Sequence, residues 1–288
     1  MIDQPGVYDL PAAAYHADPV EGGSLSSTGA RKLLPPSCPA LYHWWVEHDE
    51  VHTAKFDMGK AAHRVVLGAG ADLVEVEADN WTTKPAREKR DKAYAAGKIP
   101  VLSRTYGEIQ EMAEVLRGHP LASTLLSLGS AERTLVWVDP PTGVRCRAML
   151  DWLPDPAVYG QMVIVDYKTT DSCDTDFLER QIHTIGYHQQ AAWYEAGARA
   201  LDLGQDPEVA LIFQMRTPPY LVRVVQLSAL ARRIAVERNR EALEIYARCC
   251  QTDVWPGFTL PAEQWDPGRA DQLGLPLYIE NAYLRGMQ

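Results

Sequence analysis

The 288-residue chain has no run of apolar residues long enough to cross a bilayer, which takes about 18 to 20 in succession. Its opening, MIDQPGVYDLPAAAYHADP, has neither a basic segment nor an apolar one, so no secretory leader is expected and a cytoplasmic location is. Cysteine is sparse. Cys38, Cys146, Cys173, Cys249 and Cys250 include no C-x-x-C pair, which argues against a zinc knuckle or a dithiol redox site. No iron–sulfur cluster is expected either, because four thiolates are needed and the adjacent Cys249 and Cys250 chelate poorly. Positive charge is also in deficit: 28 Lys and Arg against 38 Asp and Glu give a net charge of −10. That balance excludes a protein that coats nucleic acid indiscriminately, since non-specific affinity comes from cations neutralising phosphates. Internal repeats and low-complexity linkers are missing too, which favours one domain over several.

What is present is an ordinary globular composition, 46% hydrophobic, in a chain long enough for a large core. Ser26-Ser27-Thr28 precede an Ala/Arg/Lys/Leu run and predict a capped helix ended by Pro35-Pro36; a second helix is expected over Pro39–Asp49. Met58, Ala61, Ala62, Val65 and Val66 fall at helical spacing up to Gly68, with His63 inside. A basic stretch, KPAREKRDKAYAAGK, follows at Lys84–Lys98; it reads as a local DNA contact or as a solvated face. Helix resumes at Arg104–Leu116 and Leu121–Leu128. Beyond it the period becomes that of strands: Thr134–Val138, a turn at 139–143, Val144–Leu153, and then QMVIVDYKT. A long helix is predicted over Asp174–Ala200, followed by the strand VALIFQM, a turn at Pro218-Pro219, the strand LVRVVQL and a helix over Leu230–Cys249. The central order is α-β-β-β-α-β, an α/β fold with a mixed sheet flanked by helices.

Alternation puts Arg145, Arg147, Met149 and Asp151 on one face of the second strand, and Asp166 and Lys168 on one face of the third with Tyr167 opposite. If these strands are neighbours, Asp151 and Asp166 approach closely. Two such carboxylates repel unless a cation lies between them, and oxygen donors favour Mg²⁺ or Mn²⁺. A lysine beside that ion can hold a water and stabilise charge on a phosphoryl oxygen. Alone, Asp166-Tyr167-Lys168 describes a strand-end ion pair equally well. The next helix adds His183, Tyr187, Gln190 and Tyr194 at spacings of four, three and four, a polar stripe able to bond phosphate oxygens or to pack as wet core. His63 is either structural or a ligand beside the acids.

Four motifs in this order, GKAAH (Gly59 to His63), MLDWL (Asp151), IVDYKT (Asp166, Lys168) and QAAWY (Gln190 to Tyr194), resemble the PD-(D/E)XK nuclease superfamily, in particular its RecB-like branch with RecE (exonuclease VIII) and related phage exonucleases. LSSTGARKLLPPSCPA resembles the opening helix of that group. No Pro-Asp dipeptide marks the first acid, and aspartate stands where glutamate is more common. The resemblance implies a restriction-endonuclease-like core in a single domain, with residues 1–58 a helical extension, 59–228 the catalytic core and 229–288 a helix and tail. It implies one or two Mg²⁺ (or Mn²⁺) ions held by His63, Asp151, Asp166 and the Tyr167 carbonyl, with Lys168 acting at the attacking water. Gln190 and Tyr194 would support the site or the DNA, and Glu132 would be a further acid. Ser27 and Arg31 would meet the DNA end, with Lys84, Arg87 and Arg147 as additional DNA contacts. The implied activity is exonucleolytic, 5′ to 3′, on ends of double-stranded DNA, in a ring-like homo-oligomer that passes a 3′ strand to a single-strand annealing protein. The implied setting is a bacterial cytoplasm with a phage or prophage gene; polarity other than 5′ to 3′, an endonuclease, or a non-catalytic DNA-end-binding protein are the alternatives.

Overall fold

Val163, Ile164 and Val165 begin a strand whose two faces are both covered, which is why the run is apolar without alternation. A computed structural model describes residues 1–48, 58–155, 162–204, 206–258 and 273–286. Within them a central sheet is built from β1 (Gly6–Asp9), β2 (Leu25–Ser26), β5 (Gly129–Val138), β6 (Arg145–Pro154), β7 (Val163–Thr170), β8 (Glu208–Met215) and β9 (Val222–Gln226). Its strand order is β1-β5-β6-β7-β8-β9, with β2 also on β6. β5 and β6 form the expected hairpin, β7 runs antiparallel to β6, and β8 joins β7 in parallel after a helical crossover.

One face of the sheet carries α2 (Ser27–Lys32), α8 (Thr175–Ile185), α9 (Tyr187–Ala200) and α10 (Ala229–Thr252). Ala30, Leu178, Trp193, Ala198 and Ala242 from these helices meet Leu135, Leu150, Ile164 and Phe213 of the strands in one core. The other face carries α4 (Met58–Leu67), α6 (Ser103–Gly118) and α7 (Pro120–Leu125), where Ala61, Ala62, Ile109, Met112 and Ala122 pack on Val165, Tyr167 and Ile212. Small residues at 61 and 62, both fully buried, let α4 lie close to the sheet.

Four differences from the sequence reading matter. The predicted helix over Asp174–Ala200 is two helices, because Gly186 adopts φ 80° and caps α8 in the left-handed conformation. The basic stretch forms α5 (Lys84–Ala95), which links β3 (Leu73–Val76) to β4 (Ile99–Leu102) in a small parallel pair of its own. The N-terminal segment, expected to be helical, keeps the predicted second helix as α3 (Pro39–His48) but also supplies β1 and β2 to the main sheet and adds α1 (Ala12–His16). Finally, Leu150 belongs to one core and Trp152 to the other, so the regular alternation of β6 breaks at Asp151. The predicted helix end at Asp49 and strand start at Gln161 lie outside the described residues.

Candidate metal-dependent active site

The site grows from the place where β6 and β7 part. Trp152 pairs with Val165 across the antiparallel ladder, so Asp151 and Asp166 are the next residues and face one another. Farther along, the edge of β6 is taken by β2, with Leu25 opposite Cys146 and Ser26 opposite Arg147. A cleft is left between β6 and β7. At its apex the Tyr167 N–H donates to Asp151 Oδ2 at 2.9 Å, a side chain taking the place of a ladder carbonyl. The N–H and C=O of one extended residue point to the same strand edge, so the Tyr167 carbonyl faces this cleft as well.

Asp166 is 1% exposed at its side chain, and Lys168 Nζ lies 2.7 Å from its Oδ2. Apart from that ammonium, neither carboxylate oxygen has a hydrogen-bond partner. Lys168 is also 4.0 Å from Asp151 Oδ2 and 5.1 Å from the centre of the Tyr187 ring. From α4, His63 reaches in: Nε2 is 3.0 Å from Asp151 Oδ1 and Nδ1 is 3.8 Å from Glu132 Oε1. Glu132 stands opposite Asp151 on β5, between the pairs Ala131 with Trp152 and Arg133 with Leu150. Its backbone is in the left-handed region at φ 50°, a conformation costing an L-residue about 1–2 kcal/mol. Strain of this kind persists where the surrounding structure over-determines it, and here it accompanies a carboxylate turned to the histidine.

The charges in this cleft act on one another. Burial pushes the Asp166 carboxyl up, Lys168 pulls it down and the facing Asp151 pushes it up again, with a net rise. Burial also opposes ionisation of Asp151, but His63, Lys168 and the Tyr167 N–H outweigh it and hold that carboxyl well below its ordinary range. His63 loses basicity to burial and regains more from Asp151 and Glu132. Lys168 is raised by both aspartates despite its own burial. Two facing acids have thus been driven apart, one firmly ionised and the other reluctant to be.

From α9, Gln190 Nε2 donates to Tyr194 Oη at 2.6 Å, which leaves the phenol proton available to an acceptor on the site side. Tyr194 is buried, and burial, Asp166 and Asp151 all raise its pKa. Arg31 sits at the rim, bonded through Nη1 to the Ile185 carbonyl and through Nη2 to Thr28 Oγ1 at 3.2 Å. Burial lowers its pKa, while Tyr194, Tyr187 and Asp166 are near enough to raise it.

A divalent ion fits this donor set by chemistry. Asp166 offers buried oxygens with no donor but Lys168, Asp151 faces it, and the Tyr167 carbonyl completes a cluster of hard oxygen ligands. Among the described residues, no three His, Cys, Asp or Glu side chains form a preassembled cage; the acids are held by Lys168 and His63 instead.

Residues 41–264 match the family described as a PDDEXK-like domain of unknown function (DUF3799). The chain belongs to that family. No protein of curated function matches it. Among solved structures it is similar to a Eubacterium rectale protein named "putative exonuclease", with 13% identity, a TM-score of 0.59, and coverage of 96% of this chain and 99% of the other. The mixed sheet flanked by helices is therefore a PD-(D/E)XK-like fold.

The tertiary structure gathers His63, Glu132, Asp151, Asp166, Tyr167, Lys168, Gln190 and Tyr194 into one cleft, with Arg31 at its edge. Ser27 is buried in the first turn of α2. Arg147 is engaged inside the fold, where Nη1 meets Asp18 Oδ2 at 2.7 Å and donates to the Ser24 carbonyl at 2.6 Å. Lys84 and Arg87 are exposed on α5, with Lys84 3.8 Å from Glu88. His183 leaves the stripe because Gly186 turns the chain, and it lines a separate groove with Leu178, Arg223 and Ile234. Gln214 escaped the sequence reading; the signal was a lone amide inside the apolar strand VALIFQM.

No helix among the described residues is long and apolar enough to cross a membrane.

Proposed function

We propose that this chain is a Mg²⁺-dependent deoxyribonuclease, an exonuclease that removes one strand of linear duplex DNA from its end, in the 5′ to 3′ direction. One observation carries the reading: a buried Asp166 whose oxygens have no partner but Lys168 lies opposite an ionised Asp151 in a cleft between two strands. Such an arrangement costs stability, and no fold requires it. A bound Mg²⁺ ion would supply charge neutralisation at a phosphoryl oxygen and lower the pKa of a water.

Asp151, Asp166 and the Tyr167 carbonyl would hold the ion, with His63 fixing Asp151 and Glu132 fixing His63 from behind. Lys168, kept as an ammonium by the two aspartates, would hold and orient the attacking water and offset negative charge on the phosphoryl oxygen. Tyr194, held by Gln190, donates to a phosphate oxygen, and Arg31 binds the strand at the rim. The order of the four motifs and the name of the Eubacterium rectale protein support the exonuclease reading. The RecE-like resemblance supports 5′ to 3′ polarity, a ring-like oligomer and transfer of the 3′ strand to a single-strand annealing protein.

End-labelled linear duplex digested in Mg²⁺, alongside a covalently closed circle, tests the reading. Wild type should release the label and spare the circle, and Asp166→Ala should release none. An inert wild type refutes the nuclease, a cut circle refutes the exonuclease, and label released from 3′ ends alone refutes the polarity. Millimolar Mg²⁺ should raise the melting temperature of wild type but not of Asp166→Ala, which reads ion binding without activity.

A further inference from the structure

The cleft continues outward onto a surface that the chemistry does not use. Helix α3 is anchored on its inner side: Tyr42 is buried with its ring 6.0 Å from Tyr246 and 5.9 Å from Trp255, and His43 stacks on Trp255 at 4.6 Å. Its other side carries Leu41, Trp44, Trp45 and His48, at spacings of three, one and three along one helix stripe. Trp44 is 58% exposed, and its ring lies parallel to that of His48, centroids 4.8 Å apart and planes 10° from each other. Trp45 is capped by Lys32, whose Nζ is 3.1 Å from the ring centroid. A tryptophan this exposed gives up about 1.5–3 kcal/mol of hydrophobic burial, so its position calls for an occupant.

Charge and continuity decide which occupant. In a chain of net charge −10, α2 presents Arg31 and Lys32 in succession between the cleft and this stripe. Arg31 bonds to the Ile185 carbonyl, beside Gly186 and Tyr187, and the Tyr187 ring faces Lys168. The path from the acids therefore runs through two cations onto flat aromatic rings. Flat rings alternating with cations match a polyanion that carries stacked bases, and stacking is indifferent to sequence because every base has a π-face.

We propose that the Trp44/Trp45 stripe, with Lys32, is a base-stacking platform for single-stranded DNA leading to the acidic cleft. It rests on the nuclease reading for the identity of the strand, but its test does not depend on turnover. Binding of a fluorescein-labelled oligothymidylate to the full chain in EDTA reads the platform alone. Trp44→Ala and Trp45→Ala should each weaken binding about five- to hundredfold, with Trp44→Phe staying close to wild type. Lys32→Gln should make the salt dependence shallower by about 0.7 in the log–log slope, the loss of one phosphate contact. Wild-type affinity in both alanine variants, or no oligonucleotide binding by wild type, overturns the platform. So does a change in oligomer mass in Trp44→Ala with oligonucleotide affinity intact, which would assign the stripe to a second copy of the chain. If wild type binds through Trp44 and Trp45 yet digests nothing in Mg²⁺, the nuclease reading falls and the platform stands; digestion without Trp-dependent binding is the reverse.

Discussion

Replacing Gln214 by leucine should reveal how the cleft is supported from the opposite face of the sheet. Gln214 is fully buried and makes three hydrogen bonds: it accepts from Tyr167 Oη at 2.7 Å and donates to the Met112 carbonyl at 2.8 Å and the Tyr220 carbonyl at 3.3 Å. Leucine fills much the same volume and satisfies none of them. A buried polar group left without a partner costs about 1–3 kcal/mol, and the longest of these bonds is the weakest, so the expected loss is about 2–5 kcal/mol. For a chain of this size that corresponds to a melting temperature lower by roughly 3–8 °C.

Tyr167→Phe removes the phenol but keeps the ring, and should cost about 1–3 kcal/mol. The double variant should then be less destabilised than the two singles together, because both delete the same bond. Thermal and urea unfolding of the four proteins measure this cycle. A further readout is local: Tyr167 holds Asp151 through its N–H, so Gln214→Leu should also shrink the melting-temperature gain produced by Mg²⁺. A Gln214→Leu protein melting within about 2 °C of wild type would refute the network, since three unpaired buried groups cannot cost so little.

Three further outcomes are expected. Asp139 takes both guanidinium nitrogens of Arg240 at 2.7 and 2.8 Å, and although burial opposes it, these bonds and those from Thr142 hold its carboxyl below the ordinary value. A carboxyl lowered on folding stabilises above its unfolded pKa and stops doing so as pH falls through the folded one. Asp139→Asn should thus cost about 1 kcal/mol at pH 7, the exposed side of Arg240 reducing the effect, and that difference should shrink in urea unfolding as the pH is taken down below the ordinary aspartate pKa of about 3.9. Glu132→Gly should relax the left-handed backbone, giving up to about 1 kcal/mol of stability while lowering nuclease activity; loss of both would contradict a strained functional position. Gly197→Ala should destabilise by about 1–3 kcal/mol because the new methyl would meet the Trp137 ring at 2.8 Å, whereas Gly107→Ala, in open space on α6, should stabilise by about 0.5–1 kcal/mol; melting temperatures that move together would refute the packing.

Several elements were legible from local pattern alone. The two-faced apolar strand ending in Asp166-Tyr167-Lys168, the hairpin before it and the helix carrying Gln190 and Tyr194 depend on side-chain period and turn residues, which are properties of neighbours in sequence. The break at Gly186 was present as a glycine, but an isolated glycine in a helical pattern is tolerated as often as it caps. β1 and β2 were not legible, because a strand of two or four residues has too little pattern and exists only where another strand's edge is free.

The chemical inventory is legible in the residue order: two aspartates, a lysine and a histidine on a strand, a strand and a helix, in an order shared with a nuclease superfamily. Which of those charges meet is a matter of packing. The antiparallel register sets Asp151 against Asp166, and β2 takes the rest of the β6 edge so that the strands part. It likewise drew Arg147 inward to Asp18, turned His183 away and brought Glu132 behind His63. Distances between residues far apart in the chain are set by how layers pack, and electrostatic coupling depends on those distances and on burial, neither of which is written in local pattern.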